Sequence, residues 1–405
     1  MQFSQVIGQE QLKLQLTQMI QQNRLSHALL FLGKEGSGGL PLALAFAQYI
    51  TCEKNPLQAI RKKVLPVTET SLFGNVQEEK GNEKEFIDAC GVCAACTKAT
   101  KLIHPDIHYS YPVIPKKSGD KPLSSDYITE WRDFVTTTPY GNLFDWLQTI
   151  NAENKQGNIT SDECNDIIRK MSLKSFESSF KILIIWMPEM LGKNGNKLLK
   201  LIEEPPPDTL FFLVAENETQ ILPTIISRTQ LVKIPILQSE DIANALSKNE
   251  NIAINKAQQI ASISQGNYHE AIQQLQHSDN DWEVLLRDWL NSILKSGPVA
   301  QIKWIEEAAK LGREKQKQFL KYFTHILQQS IRLSATSTKD IDPANVDFAI
   351  RFNKLCSIEQ QQAIAEELDK ATYYIERNAN AKMLFHALTI RLYHIISNKS
   401  LILVQ

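Results

Sequence analysis

Three short runs, Ala28–Leu32 (ALLFL), Phe180–Trp186 (FKILIIW) and Leu210–Ala215 (LFFLVA), are almost continuously apolar. A strand with one wet face alternates apolar and polar residues. A continuous run of strand length needs cover on both faces, which a parallel sheet between layers of helices supplies. The last two runs are separated by a helix-like segment, Asn196–Glu204 (NKLLKLIEE). Ahead of the first run, Leu12, Leu16, Met19 and Ile20 recur at helical spacing, which predicts an amphipathic helix from about Gln9 to Asn23. Buried parallel strands joined by helices are therefore expected, in an α/β domain.

After Leu231–Pro235 (LVKIP) the pattern changes to short helical segments with a break at Gly266, running to about Ser278. From Trp282 onward it is helical throughout. Trp282, Leu285, Leu286, Trp289, Leu290 and Ile293 make one apolar stripe, and AKMLFHALTIRLYHII makes another near the end. We therefore expect an α/β domain over residues 1–237, a small helical domain over 238–279 and an all-helical domain over 280–405. Two stretches exceed a minimal α/β unit: 55–87, which is polar and charged, and 111–156. The second carries Trp131, Phe134, Tyr140, Phe144 and Trp146, more aromatic area than a disordered linker holds, so it is expected to pack.

The 405 residues are 43% hydrophobic with a formal net charge of −1, enough for two or three domains. Near-neutrality argues against a protein that grips nucleic acid by overall electrostatics, which needs a basic face or domain. No apolar run approaches the ~20 residues of a membrane helix, and MQFSQVIGQEQLK lacks the apolar segment of a secretion signal, so a cytoplasmic protein is expected. Of six cysteines, Cys90, Cys93 and Cys96 are spaced C-x₂-C-x₂-C. In a reducing compartment that spacing favours metal over disulfides, with zinc and an iron–sulfur cluster both open. Cys164 and Cys356 are isolated and read as ordinary thiols. His104 and His108, in HPDIH, are alternative ligands but are read as structural.

The first apolar run leads into GKEGSGGL (Gly33–Leu40) and then a helix-like PLALAFAQYI. Strand, glycine-rich turn and helix start are the setting of a phosphate-binding loop, G-x-x-x-x-G-K-[ST], in which the Lys pairs with outer phosphates and the hydroxyl holds Mg²⁺. Counted from Gly33, the second Gly is Gly38, the Lys position holds Gly39 and the Ser/Thr position holds Leu40. The other half of such a site is a strand ending in acidic residues. KILIIWMPEML ends instead on Trp186 and Met187, which offer no oxygen ligand to a hard cation, while Glu189 comes three residues late. Both halves of a nucleotide apparatus are altered, so the loop reads as a tight turn that maintains a fold.

FSQVIGQEQLKLQL, NRLSHALLFLG, CGVCAAC, HPDIH, KILIIWMPEMLGKNGNKLLKLIEEPPPDTLFFLVAE and ILPTIISRTQ occur in this order. Together they resemble bacterial DNA polymerase III clamp-loader subunits over most of the first 60 residues, about 88–110, and 159–275; IERNANAKMLFHAL adds to the likeness. The resemblance implies an AAA+ P-loop NTPase-like parallel-sheet domain, a small helical lid and an all-helical C-terminal collar. Motor subunits of that family keep the intact loop and an Asp-Glu strand end, whereas delta-prime subunits have lost them. The altered residues here are similar to the delta-prime pattern. That implies no functional ATP site and no intrinsic ATPase, within a DNA-directed DNA polymerase holoenzyme. Implied partners are gamma/tau and delta subunits, the sliding clamp and primed DNA. The family's nucleotide-sensing Arg after the lid glycine is replaced by His269 in SQGNYHEAIQQL. Family zinc modules use four thiolates, and the matching set is Cys52, Cys90, Cys93 and Cys96 within a module over about 52–100. In SRT, Arg228 matches an arginine that reaches a neighbouring subunit's ATP site; its plainer role is to cap a helix end or pair with an acid. Two other readings stand beside this one: an active gamma/tau-like ATPase subunit and a free-standing zinc nucleic-acid-binding protein.

Overall fold

The computed structural model describes residues 1–22, 24–55, 88–117, 119–152, 155–276, 279–335, 343–376 and 379–397. The polar stretch 55–87 lies outside the described residues apart from Asn55. Two compact units emerge, Met1–Gln273 and Gln274–Gln405.

The first unit is built on five parallel strands, β1 (Ala28–Gly33), β2 (Ile107–Ser110), β3 (Lys181–Trp186), β4 (Thr209–Ala215) and β5 (Gln230–Ile234), in the order β2-β3-β4-β1-β5. Three of them are the continuous apolar runs, and the pleat explains why those runs are continuous. Leu29, Phe31 and Phe212 face one layer while Ala28, Leu30, Phe211 and Leu213 face the other, so both sets are buried. In register, Ala28 lies beside Phe211 and Leu32 beside Ala215.

The helices of this unit among the described residues are α1 (Glu10–Gln21), α2 (Gly39–Thr51), α3 (Ala94–Thr100), α4 (Ile128–Thr137), α5 (Leu143–Thr149), α6 (Ser161–Ser172), α7 (Leu199–Glu203), α8 (Pro223–Ile226), α9 (Ser239–Asn249), α10 (Ile254–Ile263) and α11 (Tyr268–Gln276), whose last turn runs into the second unit. One layer contains α6 and the Pro188–Glu203 region; the other is led by α2. Every residue from Leu40 to Thr51 is buried, because α2 is covered twice. Phe46 stacks on Phe212 of the sheet at 5.3 Å, and Tyr49 meets Phe3 of the N-terminal segment at 5.8 Å. A helix that is apolar all round is one buried all round.

The 111–156 stretch packs over this layer. Tyr111 stacks on Trp131 at 4.0 Å, Trp146 meets Trp131 edge-on at 5.3 Å, and Trp131 and Phe134 lie 5.3 and 5.6 Å from Trp186 at the end of β3. The Trp146 indole N–H donates to the Pro112 carbonyl at 2.6 Å, so one of the three tryptophans in the stack is also held by a directional bond. Its helix α5 starts with a reciprocal cap between Asn142 and Asp145. After β5 the chain forms α9 to α11, the lid.

The second unit is helical among its described residues, with α12 (Asp279–Asn291), α13 (Pro298–Lys310), α14 (Arg313–Ala335), α15 (Pro343–Leu355), α16 (Ile358–Glu376) and α17 (Ala381–Ser397). Both expected apolar stripes enter its core. Trp289 and Trp304 stack in parallel at 4.5 Å, and the Trp289 indole donates to Thr389 Oγ1 at 3.0 Å. No helix among the described residues is long and apolar enough to cross a membrane.

Candidate functional site

The glycine turn sits where a phosphate-binding loop would, between β1 and the N-terminus of α2. Gly36 (φ 70) and Gly38 (φ 94) take left-handed conformations, which a residue with a Cβ adopts only at a cost. Backbone N–H groups and a helix start are therefore in place, but the charge-handling side chains are not. Leu40 is buried in the core, Trp186 is 3% exposed inside the aromatic stack, and Met187 is buried. Glu189 is buried and accepts hydrogen bonds from the backbone N–H groups of Glu216 (2.6 Å) and Asn217 (2.8 Å). Burial pushes its carboxyl upward, against those bonds. It fastens the end of β3 to the end of β4.

The space above the loop is occupied by the chain itself. Tyr140, from the 111–156 stretch, lies against Gly38, where an added Cβ would come within 3.0 Å of its ring. Its hydroxyl accepts the Ile7 N–H at 2.8 Å, and its ring meets Tyr268 of the lid edge-on at 4.9 Å. Asp145, on α5, lies 2.5 Å from His269 Nε2, and Glu35, inside the glycine turn, lies 3.2 Å from His269 Nδ1. Glu35 Oε1 also accepts from Asn142 (3.2 Å) and Asn267 (3.4 Å). The lid closes the arrangement: the Tyr268 N–H donates to the Gly36 carbonyl at 3.2 Å, and a Cβ at Gly36 would collide with the Asn267 amide. What remains at the loop is a cavity of about 30 Å³, bordered by Gly33, Gly38, Tyr140 and Trp186. That is room on the order of one water, not a triphosphate.

His269 is 7% exposed. Burial by itself opposes the imidazolium, but hydrogen bonds and charge from Asp145 and then Glu35 outweigh it and lift the pKa to about 10. At neutral pH a cation on the lid is thus held between two carboxylates, one from the glycine turn and one from the inserted helix. With one imidazolium between two carboxylates, the cluster keeps a net charge of about −1, which does not favour a phosphate chain.

The cysteines form a second cluster. Cys52 follows the last residue of α2, Cys93 caps α3, and Cys96 lies in its first turn. With Cys90, their sulfur atoms all lie within 4.8 Å of one another. Backbone N–H groups point at sulfur three times: Cys90 to Cys52 (3.5 Å), Cys93 to Cys90 (3.4 Å) and Cys96 to Cys93 (3.4 Å). Such bonds stabilise thiolates. Zinc–sulfur bonds of ~2.3 Å in a tetrahedron give sulfur–sulfur edges of about 3.8 Å; Cys90 and Cys96 are 3.9 Å apart. The donor set fits a tetrahedral metal ion. The histidines of HPDIH are held elsewhere. His104 lies 3.2 Å from Glu177, and Asp106 accepts the N–H groups of Phe176, Glu177 and Ser178, fastening the start of β2 to the loop before β3. Burial pushes both imidazoles down, His108 to about 4.

Arg228 follows α8 on the surface, its side chain 32% exposed. Nε pairs with Glu203 at 2.9 Å and Nη1 donates to the Thr224 carbonyl at 3.0 Å. Within this chain those are the contacts of a helix-end cap and an ion pair.

Sequence reasoning located the glycine turn, Trp186, Met187 and the cysteines, but not Glu35, Tyr140 or Asp145 as parts of one site. An acid inside a glycine-rich turn was the available signal. Nothing local ties Asp145 to His269.

Residues 8–65 and 70–238, more than half of the chain, match the family described as "DNA polymerase III, delta subunit". The chain belongs to that family and is a clamp-loader family member with an AAA+ α/β fold and a helical C-terminal part. DNA polymerase III subunit tau of Bacillus subtilis is 25% identical over 334 residues, covering 81% of this chain and 46% of the relative. Subunit delta' of Bacillus subtilis is 25% identical over 255 residues, covering 63% and 55%. Subunit gamma of Buchnera aphidicola subsp. Schizaphis graminum is 32% identical over 123 residues, covering 29% and 34%. The chain spans about half the length of the first two relatives.

The ion cluster fixes a pH dependence. The folded pKa of His269, about 10, lies above the ordinary 6.5, so its stabilisation is fully present below pH 6.5 and is lost as pH rises through 10. Chemical denaturation at pH 7 and pH 10.5 should show a loss attributable to this site of roughly 1.5–3 kcal/mol, the range of a hydrogen bond to a charged group. His269→Gln should lack that part of the loss. Equal pH slopes in the two proteins would mean that the imidazole is neutral in the fold.

Proposed function

We propose that the chain is a non-hydrolysing, delta-prime-like subunit of the bacterial replicative clamp loader, part of the DNA polymerase III holoenzyme. In that role it assembles with gamma/tau and delta subunits in the cytoplasm and helps place the sliding clamp on primed DNA. The observation that carries the reading is the glycine turn itself. It keeps the strand–turn–helix outline, lacks both phosphate-handling side chains, and is filled by Tyr140 and two carboxylates. The tau and delta' relatives are equally similar in overall identity, so these residues, rather than the likeness, favour delta-prime over an active gamma/tau-like ATPase. A net charge of −1 counts against a free-standing nucleic-acid binder.

Three domains, 1–237, 238–279 and 280–405, then divide the work: a sheet domain carrying the contacts, a lid, and a collar for oligomer assembly. Arg228 reaches a neighbour's ATP site, exchanging Glu203 for phosphate oxygens. A planar guanidinium suits this because it donates two parallel hydrogen bonds. Cys52, Cys90, Cys93 and Cys96 hold one structural zinc. With four thiolates the ion has no open position for chemistry, and its effect is to join the end of α2 to α3.

Metal analysis of the purified chain should give about one zinc per chain, and Cys93→Ser should lower both zinc content and thermal stability. Iron with visible absorption, or no metal at all, would contradict the assignment.

Arg228→Ala should leave the isolated chain folded, within about 1 kcal/mol, since an exposed ion pair contributes little. In the reconstituted loader the same variant should lower DNA- and clamp-stimulated ATPase and clamp loading, with Arg228→Lys rescuing poorly. A single decisive finger is worth about 10³–10⁵ in rate at its own site, diluted in the total where other sites still fire. Unchanged ATPase and unchanged loading would return Arg228 to helix capping.

A further inference from the structure

The inserted segment does more than cover α2. Its residues touch each of the walls that converge on the glycine turn, and they do so with groups of a particular kind. Tyr140 places a flat ring against Gly38 and Tyr268 and accepts the Ile7 N–H. Asp145 places an anionic oxygen on His269 of the lid. Asn142 donates to Glu35 within the turn. A bound nucleotide bridges such walls in the same chemical terms, with an aromatic plane at one end and anionic oxygens at the other. Around this bridge the lid is fastened directly to the turn through Tyr268 and Gly36, while Gln9 holds the turn and the end of β5 by donating to Ser37 and Pro235 carbonyls at 3.3 and 2.7 Å.

We propose that the segment around Tyr140–Asp145 is a resident substitute for a nucleotide, holding the lid on the sheet domain in one setting whatever the nucleotide concentration. An empty cleft would leave the lid free to hinge, because the loss of a ligand removes the contacts that bridge the two sides. Here the bridge is covalently part of the chain. The lid is held by contacts that no ligand has to supply. The inference rests on the reading of the cleft as nucleotide-free. It needs no partner subunit, so its failure leaves the assembly role and Arg228 untouched.

Amide hydrogen exchange on the full chain tests it, comparing wild type with Asp145→Asn, which keeps the shape of the side chain and removes its charge. Breaking one charge-assisted bond in a bridge should raise local opening about tenfold or more. The rise should appear together in the Gly33–Gly38 turn and in the first turn of α11, with β4 and α3 unchanged. Should that variant fail to fold, His269→Gln, which keeps hydrogen-bonding atoms and loses the charge, is read the same way. A rise confined to α5 would make Asp145 only a cap of its own helix and would overturn the proposal. So would unchanged exchange at both the turn and the lid.

Discussion

A buried imidazolium organises the cleft of this protein. His269 lies on the lid, Glu35 in the glycine turn and Asp145 on an inserted helix, and the imidazole pairs with both acids across the fold. Two half-buried carboxylates brought this close repel each other without a cation between them, and a buried histidine without them would be neutral. Brought together they hold three segments in one place, through hydrogen bonds that span 234 residues between Glu35 and His269 and 107 between Glu35 and Asn142. The same placement that stabilises the fold makes the cleft hostile to phosphate.

The aromatic stack is the apolar counterpart of that cluster. Trp186 stands at the carboxyl end of β3, where parallel α/β sheets gather their ligands. Trp131, Phe134 and Trp146 can pack there because β3 ends on the apolar side chains of Trp186 and Met187. The apolar end of β3 and the aromatic stretch that covers it are therefore complementary, each filling the space the other leaves.

Much of the fold was legible in the sequence. β1, β3 and β4 read directly from unbroken apolar runs, since burial on both faces leaves no polar positions to disguise them. β2 did not: it is four residues at a sheet edge and carries His108 and Ser110, with no periodicity to betray it. The aromatic content of 111–156 required that it pack, but where depended on Trp186, some 40 to 70 residues further on. Cys90, Cys93 and Cys96 announced a cluster by spacing, and the structure brings Cys52 to them from the end of α2. Tyr140 and Asp145 were illegible as site residues because a Tyr near a Gly and an Asp in a capping box have ordinary local explanations. Their second role exists only once the lid and the turn are folded against them.

A cleft filled at the glycine turn by its own chain should not take up a nucleotide. Calorimetric titration of the isolated chain with MgATP tests this most directly, with the protein at a concentration that would reveal weak binding. The expected result is no saturable heat and a Kd weaker than roughly 1 mM, a binding free energy no more favourable than about −4 kcal/mol. A micromolar Kd with one site per chain would contradict this and would mean that Tyr140, Glu35 and Asp145 move aside, since the cavity at the glycine turn, about 30 Å³, does not admit a triphosphate.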